Sequence, residues 1–176
     1  QSGIITKYNS DSSRTYALYI ASDNSTLAFS AYNSNNPSGY VTYSAPLTNT
    51  WYHIVVKKDS GTLYMFINGK QVSSDDSATM TANDNDLKIG VWNRSSNYYF
   101  KGFIDEVKIY PYARSAAQIK TDYNAGKAHA GTIKGTSTAL SASANNLDAL
   151  SNGLVGYWRM DEATGSAVAD SSGNSN

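Results

Sequence analysis

Side chains able to do acid–base or nucleophilic chemistry are scarce in this chain. It has two glutamates, Glu106 and Glu162, two histidines, His53 and His129, and no cysteine. Asp105 and Glu106 are adjacent, so on a strand they point to opposite faces and cannot converge on one bond. His53 shares a strand face with Trp51 and Val55, the pattern of a packed histidine at a core edge rather than of a general base. There is no HExxH or paired-cysteine metal motif and no glycine loop to cradle a phosphate. What remains is recognition chemistry. Trp92-Asn93-Arg94 and Asn97-Tyr98-Tyr99 set aromatic rings beside amides, a combination that can stack on a sugar and bond its hydroxyls. Tyr32, Tyr40 and Tyr43 also fall in or beside expected loops. The run Asn83-Asp84-Asn85-Asp86 carries hard oxygen ligands but lacks the spacing, glycine and distal glutamate of an EF-hand loop, so it reads as Asx turns.

The elements that would position these residues are strands. Asn68-Gly69, between Leu63-Tyr64-Met65-Phe66-Ile67 and Lys70-Gln71-Val72, predicts a type I′ hairpin, because both central residues need positive φ. Leu63, Met65 and Ile67 fall on one face of the first arm and Tyr64 and Phe66 on the other, as in a strand inside a sheet stack. Further strands are expected at Ile4–Thr6, Tyr16–Ile20, Leu27–Tyr32, Tyr40–Ser44, Trp51–Val56, Leu87–Val91 and Gly102–Tyr110, with a short one near Ala78–Met80 and a loop at Asn33–Gly39. One helix is expected over Ala116–Tyr123, with Ser115 and Gln118 as a capping box, Gly126 as its stop, and Ile119 and Tyr123 docking it. The predicted fold is all-β, an antiparallel β-sandwich with one short C-terminal helix.

Composition narrows the partners. Fourteen basic and fourteen acidic residues are scattered singly, for a net charge of zero, which argues against nucleic acid and anionic membranes. No apolar run reaches transmembrane length. Low charge with abundant Ser, Thr, Asn and 14 tyrosines leans toward a secreted or surface protein. Residues 131–152 shift to Ala, Ser, Thr, Gly and Asn, a linker by composition, before apolar character returns at Leu154–Met160.

The ordered set Ser2-Gly3-Ile4-Ile5-Thr6-Lys7, Trp51–Val55, Leu63–Gly69, Leu87–Gly90, Phe103–Tyr110 and Ala113–Ile119 resembles the laminin G-like, concanavalin A-like jelly-roll domains of bacterial secreted and surface proteins. Gly153-Leu154-Val155-Gly156-Tyr157-Trp158-Arg159-Met160-Asp161-Glu162, with Gly165 and Asp170–Asn174, resembles the opening of such a domain, displaced to the far end. The resemblance implies residues 1–126 as a jelly roll lacking its first strands, 127–152 as linker, and 153–176 as the opening strand of a following or partner domain. Three explanations stand: a piece of a tandem array, completion in trans with Leu154, Val155, Tyr157, Trp158 and Met160 donated as a strand, or a circular permutation.

The resemblance also implies a structural calcium at the sandwich rim, with Asp161, Asp170, Asn174 and Asp105 as candidate ligands. Glycoside hydrolases share this architecture but need two opposed carboxylates, and the alternating acidic signature is absent, so no enzyme is expected. The function implied is an extracellular binding or adhesion module contacting a glycan or surface protein through Trp92, Asn93, Arg94, Asn97, Tyr98 and Tyr99. The alternatives are a structural subunit of a filament or array, joined to other copies of itself by strand donation, and an accessory carbohydrate-binding domain of a secreted glycoside hydrolase.

Overall fold

The computed structural model describes residues 1–10, 13–34, 36–44, 49–93, 96–130, 153–162 and 168–174. The strands are β1 (Ser2–Ser10), β2 (Ser13–Ile20), β3 (Thr26–Asn33), β4 (Asn36–Ser44), β5 (Ile54–Asp59), β6 (Thr62–Ile67), β7 (Lys70–Asp75), β8 (Lys88–Ile89), β9 (Val91–Asn93), β10 (Asn97–Tyr99) and β11 (Val107–Ile109). Helix α1 (Ala116–Ala130) and strand β12 (Gly156–Trp158) complete the order. The chain divides into two compact units, Gln1–Gly102 and Phe103–Asn176. Its fold is the expected all-β sandwich with one helix.

In the first unit, a seven-stranded sheet runs β4-β3-β2-β1-β10-β9, with β8 also paired to β1, and a second sheet runs β5-β6-β7. Pairing is antiparallel except between β1 and β10, which meet in parallel at Gly3 and Tyr99. The large sheet is apolar on both faces, as a sandwiched sheet should be. On one face Tyr8, Ala17, Tyr19, Ala28, Tyr32 and Trp92 form a buried cluster. On the other, Leu18, Leu27, Phe29 and Val41 are buried. Gly39 pairs with Ala31, two residues along β3 from Phe29. A Cβ at Gly39 would lie 3.0 Å from Leu63 Cδ1 and 2.5 Å from Ala78 Cβ, so this second face looks toward β6. Leu63 and Met65, the innermost residues of β6, are 1% and 0% exposed. Burying such a side chain stabilises a fold by about 1.5–3 kcal/mol.

Local expectations hold where backbone chemistry decides the outcome. Asn68 and Gly69 sit at φ 53° and 76°, and Ile67 pairs with Lys70 across the two-residue turn. At α1, Gln118 N–H donates to Ser115 Oγ (3.2 Å) and Ser115 N–H donates to Gln118 Oε1 (2.8 Å), the capping box in full. Ile119 is fully buried.

Other boundaries differ. The helix does not stop at Gly126 but runs to Ala130. A mid-helix glycine costs only about 1 kcal/mol relative to alanine, and Ala125, Ala128 and Ala130 favour continuation. Asn36–Gly39 is strand rather than loop. Pro37 is tolerated because β4 is the edge of its sheet, where a missing N–H breaks no ladder bond. Ala78–Met80 forms no strand, although Ala78 is buried beneath Gly39. The expected Leu87–Val91 strand is split by Gly90 at φ 78°. Trp51, 64% exposed, precedes β5, and only Val107–Ile109 of the expected 102–110 strand is paired.

Among the described residues no helix is long and apolar enough to cross a membrane.

Candidate functional site

The site forms where edge strand β4 meets the end of β7. The outward N–H groups of an edge strand must be satisfied or they recruit foreign strands. On β4 two of them are taken by β7 side chains: Tyr40 N–H donates to Asp75 Oδ2 (2.8 Å) and Thr42 N–H to Ser73 Oγ (3.4 Å). Asp75 Oδ1 accepts from the N–H (2.9 Å) and the hydroxyl (2.6 Å) of Ser77, closing an Asx turn that aims the carboxylate at β4. The Ser77 hydroxyl, then the Ser77 and Tyr40 amides, hold the Asp75 carboxyl below its ordinary pKa.

This junction borders an open cleft of about 610 Å³, lined by Tyr19, Tyr32, Tyr40, Ser30, Asp75 and Ser77 together with Pro37–Gly39. Tyr32 is a buried wall and Tyr40 stands 49% exposed. Tyr19 OH and Ser30 Oγ lie 3.3 Å apart, and Tyr19 also bonds the Tyr40 side chain. Desolvation, with Tyr19 adding to the shift, pushes the Tyr40 phenol up to about 12. Asp75 is the single carboxylate lining the cleft among the described residues, and no lysine or arginine lines it. Rings, hydroxyls and a spare carboxylate lone pair make a surface for a polyhydroxylated ligand.

The cluster expected from sequence is not assembled as a platform. Trp92 is 3% exposed, with its ring 4.3 Å from Tyr19 and 5.7 Å from Tyr8. It belongs to the core, which corrects its expected role as a rim aromatic. Gly3 permits this placement: a Cβ there would come within 2.5 Å of Trp92 N, so the missing side chain lets the Trp92 backbone lie against β1. Asn93 pairs in register with Asn97, and Arg94 lies outside the described residues. Tyr98 and Tyr99 are 38% and 63% exposed, and Asn97 Nδ2 donates to Tyr99 OH (3.3 Å).

In the second unit β11 and β12 pair antiparallel, with Val107 opposite Trp158, Lys108 opposite Tyr157 and Ile109 opposite Gly156. The Trp158 ring folds over Gly156, where a Cβ would stand 2.5 Å from it. Glu106 accepts from Lys108 Nζ (2.7 Å) and from Tyr157 OH (2.7 and 2.8 Å). Burial, then Glu106, raises the Tyr157 pKa.

The outer edge of β12 is closed by a turn. Asp170 Oδ1 accepts from Tyr157 N–H (2.9 Å) and Ser172 N–H (2.9 Å), and Oδ2 accepts from Ser172 OH (2.7 Å). Asn174 Nδ2 donates to the carbonyls of Leu154 (2.7 Å) and Val155 (3.1 Å).

Three of the four side chains expected to hold calcium, Asp161, Asp170 and Asn174, have other partners. Asp170 faces three donors, Asp161 pairs with Arg159 at 3.0 Å, and Asp105 is exposed. Among the described residues no three acidic or histidine side chains gather into a metal-binding group.

Residues 1–120 match the Laminin_G_3 family, the concanavalin A-like lectin/glucanases superfamily, and the chain belongs to that family. Among curated proteins none matches it in sequence. Among solved structures it is similar to residues 221–444 of an S-layer domain-containing protein from Clostridium thermocellum ATCC 27405. The identity is 24% over 70% of this chain, with a TM-score of 0.39, and the chain spans 62% of that structure's length.

Proposed function

We propose that this chain is a non-catalytic, glycan-binding module of an extracellular or cell-surface protein, and that its ligand is a neutral glycan held in the Tyr40 cleft. The observation that carries this reading is the convergence of Tyr19, Tyr32 and Tyr40 with Ser30 and Asp75 on one open cleft. An exposed ring beside hydroxyl and carboxylate groups suits a sugar, whose faces are apolar and whose rim is polar.

The charge of the cleft selects among glycans. A lone carboxylate, with no lysine or arginine among the described lining residues, repels uronates, sulfates and sialic acids and accepts uncharged hydroxyls. Membership of a lectin and glucanase superfamily leaves binding and hydrolysis both open. Hydrolysis needs two carboxylates about 5–9.5 Å apart across the scissile bond, and the cleft supplies Asp75 alone among the described residues. That favours binding. The uncharged, hydroxyl-rich composition favours a surface or secreted setting.

The test is an array of immobilised neutral and acidic glycans probed in the presence of a calcium chelator. Retention on neutral glycans alone is expected, and Tyr40→Ala should weaken it about tenfold, the equivalent of about 1.4 kcal/mol. Binding confined to acidic glycans, or binding indifferent to Tyr40→Ala, would refute the reading.

A further inference from the structure

Strand β12 is joined to its partner β11 through the long connection from Ala130 to Gly153, yet the outward N–H and carbonyl of its central residue, Tyr157, are both satisfied. Ile109 and Val107 face it on one side, and Asp170, Ser171, Ser172 and Asn174 close the other. Tyr157 sends its N–H to Asp170 and its carbonyl to Ser171 N–H (2.7 Å), so neither group faces β11. Lys108 and Tyr157 are thus a non-hydrogen-bonded antiparallel pair, whose Cα atoms approach to about 4.5 Å. Their side chains meet: Lys108 Nζ stands 4.6 Å from the Tyr157 ring centroid, and Glu106 accepts hydrogen bonds from both.

Strand and clasp, within residues 153–162 and 168–174, therefore form a piece that brings its own edge cap to its seat. Every bond that holds it to Glu106, Val107, Lys108 and Ile109 would be identical if the piece came from another molecule. The 22 residues between Ala130 and Gly153 span at most about 80 Å, at 3.3–3.6 Å per residue, so neighbouring copies fall within reach.

We propose that β12 with its Asp170–Asn174 clasp is an exchangeable closing strand, and that the partner of the β11 edge at high local concentration is a second copy of this chain. Tethering gives the chain's own strand a millimolar-scale effective concentration, so closure within one molecule prevails in dilute solution. Exchange takes over where copies are crowded, as on a densely covered surface. Chains would then be linked head to tail through the same three-residue register. This is independent of the glycan reading, because it involves none of the cleft residues.

The absence of native cysteine makes the test direct. Lys108→Cys and Tyr157→Cys are introduced together in one full-length chain, and separately in two. The double variant should close an internal disulfide, which checks the register. The two single variants, mixed at increasing concentration and oxidised, should give a mixed dimer of twice the monomer mass on a non-reducing gel. Its yield should rise with concentration and exceed that of a control pairing, Lys108→Cys with Asp59→Cys. A double variant that fails to close would overturn the register. Closure of the double variant with no mixed dimer above the control would overturn exchange.

Discussion

Two exposed strand edges, one in each unit of the chain, are closed in the same way. At β4, Asp75 accepts the N–H of a strand tyrosine, Tyr40, together with the N–H and hydroxyl of Ser77. At β12, Asp170 accepts the N–H of a strand tyrosine, Tyr157, together with the N–H and hydroxyl of Ser172. Each is an Asp-x-Ser turn whose carboxylate stands in for a neighbouring strand. The surroundings separate them. The tyrosine of β4 is part of a nine-residue strand paired along its length, and its ring is left facing a cleft. That of β12 is the middle of a three-residue strand, and its hydroxyl is tied to Glu106. One clasp trims an edge already secure and leaves a surface for a ligand. The other is a principal anchor of the piece it closes.

Breaking the second clasp should therefore have the larger effect. Asp170→Ala leaves the part-buried Tyr157 N–H without its acceptor, a loss of about 1–3 kcal/mol. Amides of residues 154–160 should lose hydrogen-exchange protection while those of β1–β4 keep theirs. Equal deprotection of both units would mean that the clasp is not local. Asp75→Ala should cost less, about 1 kcal/mol, because the Tyr40 amide lies at an exposed edge where water replaces the carboxylate. Its signature is a small fall in Tm accompanied by weaker glycan retention. The smallest effect should come from acid. Asp75 titrates lower in the folded chain than the ordinary value of about 3.9, so its contribution is complete above about pH 4 and fades as pH falls through the folded pKa. Asp23, held at about 2 by the Thr26 hydroxyl and the amides of Ser25 and Thr26, fades in the same direction. Melts between pH 5 and 2 should lose less stability in Asp75→Ala than in the native chain.

What was legible in the sequence was what short-range chemistry dictates. Asn68-Gly69 and the Ser115–Gln118 box declare themselves because positive φ and capping bonds are local demands. The alternation in β6 placed Leu63 and Met65 in the core. Pro37 misled because its meaning depends on whether its strand is at an edge, which only the sheet order decides. Trp92 misled for a similar reason: its burial depends on Gly3, 89 positions away.

Of the cleft, Tyr32 and Tyr40 are among the candidate aromatics of the sequence, whereas Asp75 and Ser77 sit inside a polar stretch. The signal was present, since Asp-x-Ser is a local Asx turn. Its target, the Tyr40 amide 35 residues away, was not readable without the fold. In the same way Asp170 offered an oxygen ligand on paper, whereas the N–H donors that occupy it belong to β12 and to the turn itself.

The most direct measurement is a backbone amide chemical-shift titration of the native chain with a neutral oligosaccharide retained on the array. The account predicts shifts concentrated at Ser30, Ser38, Tyr40, Asp75 and Ser77, with residues 97–99 unmoved. Shifts confined to Asn97, Tyr98 and Tyr99 would return the site to the rim cluster and contradict it.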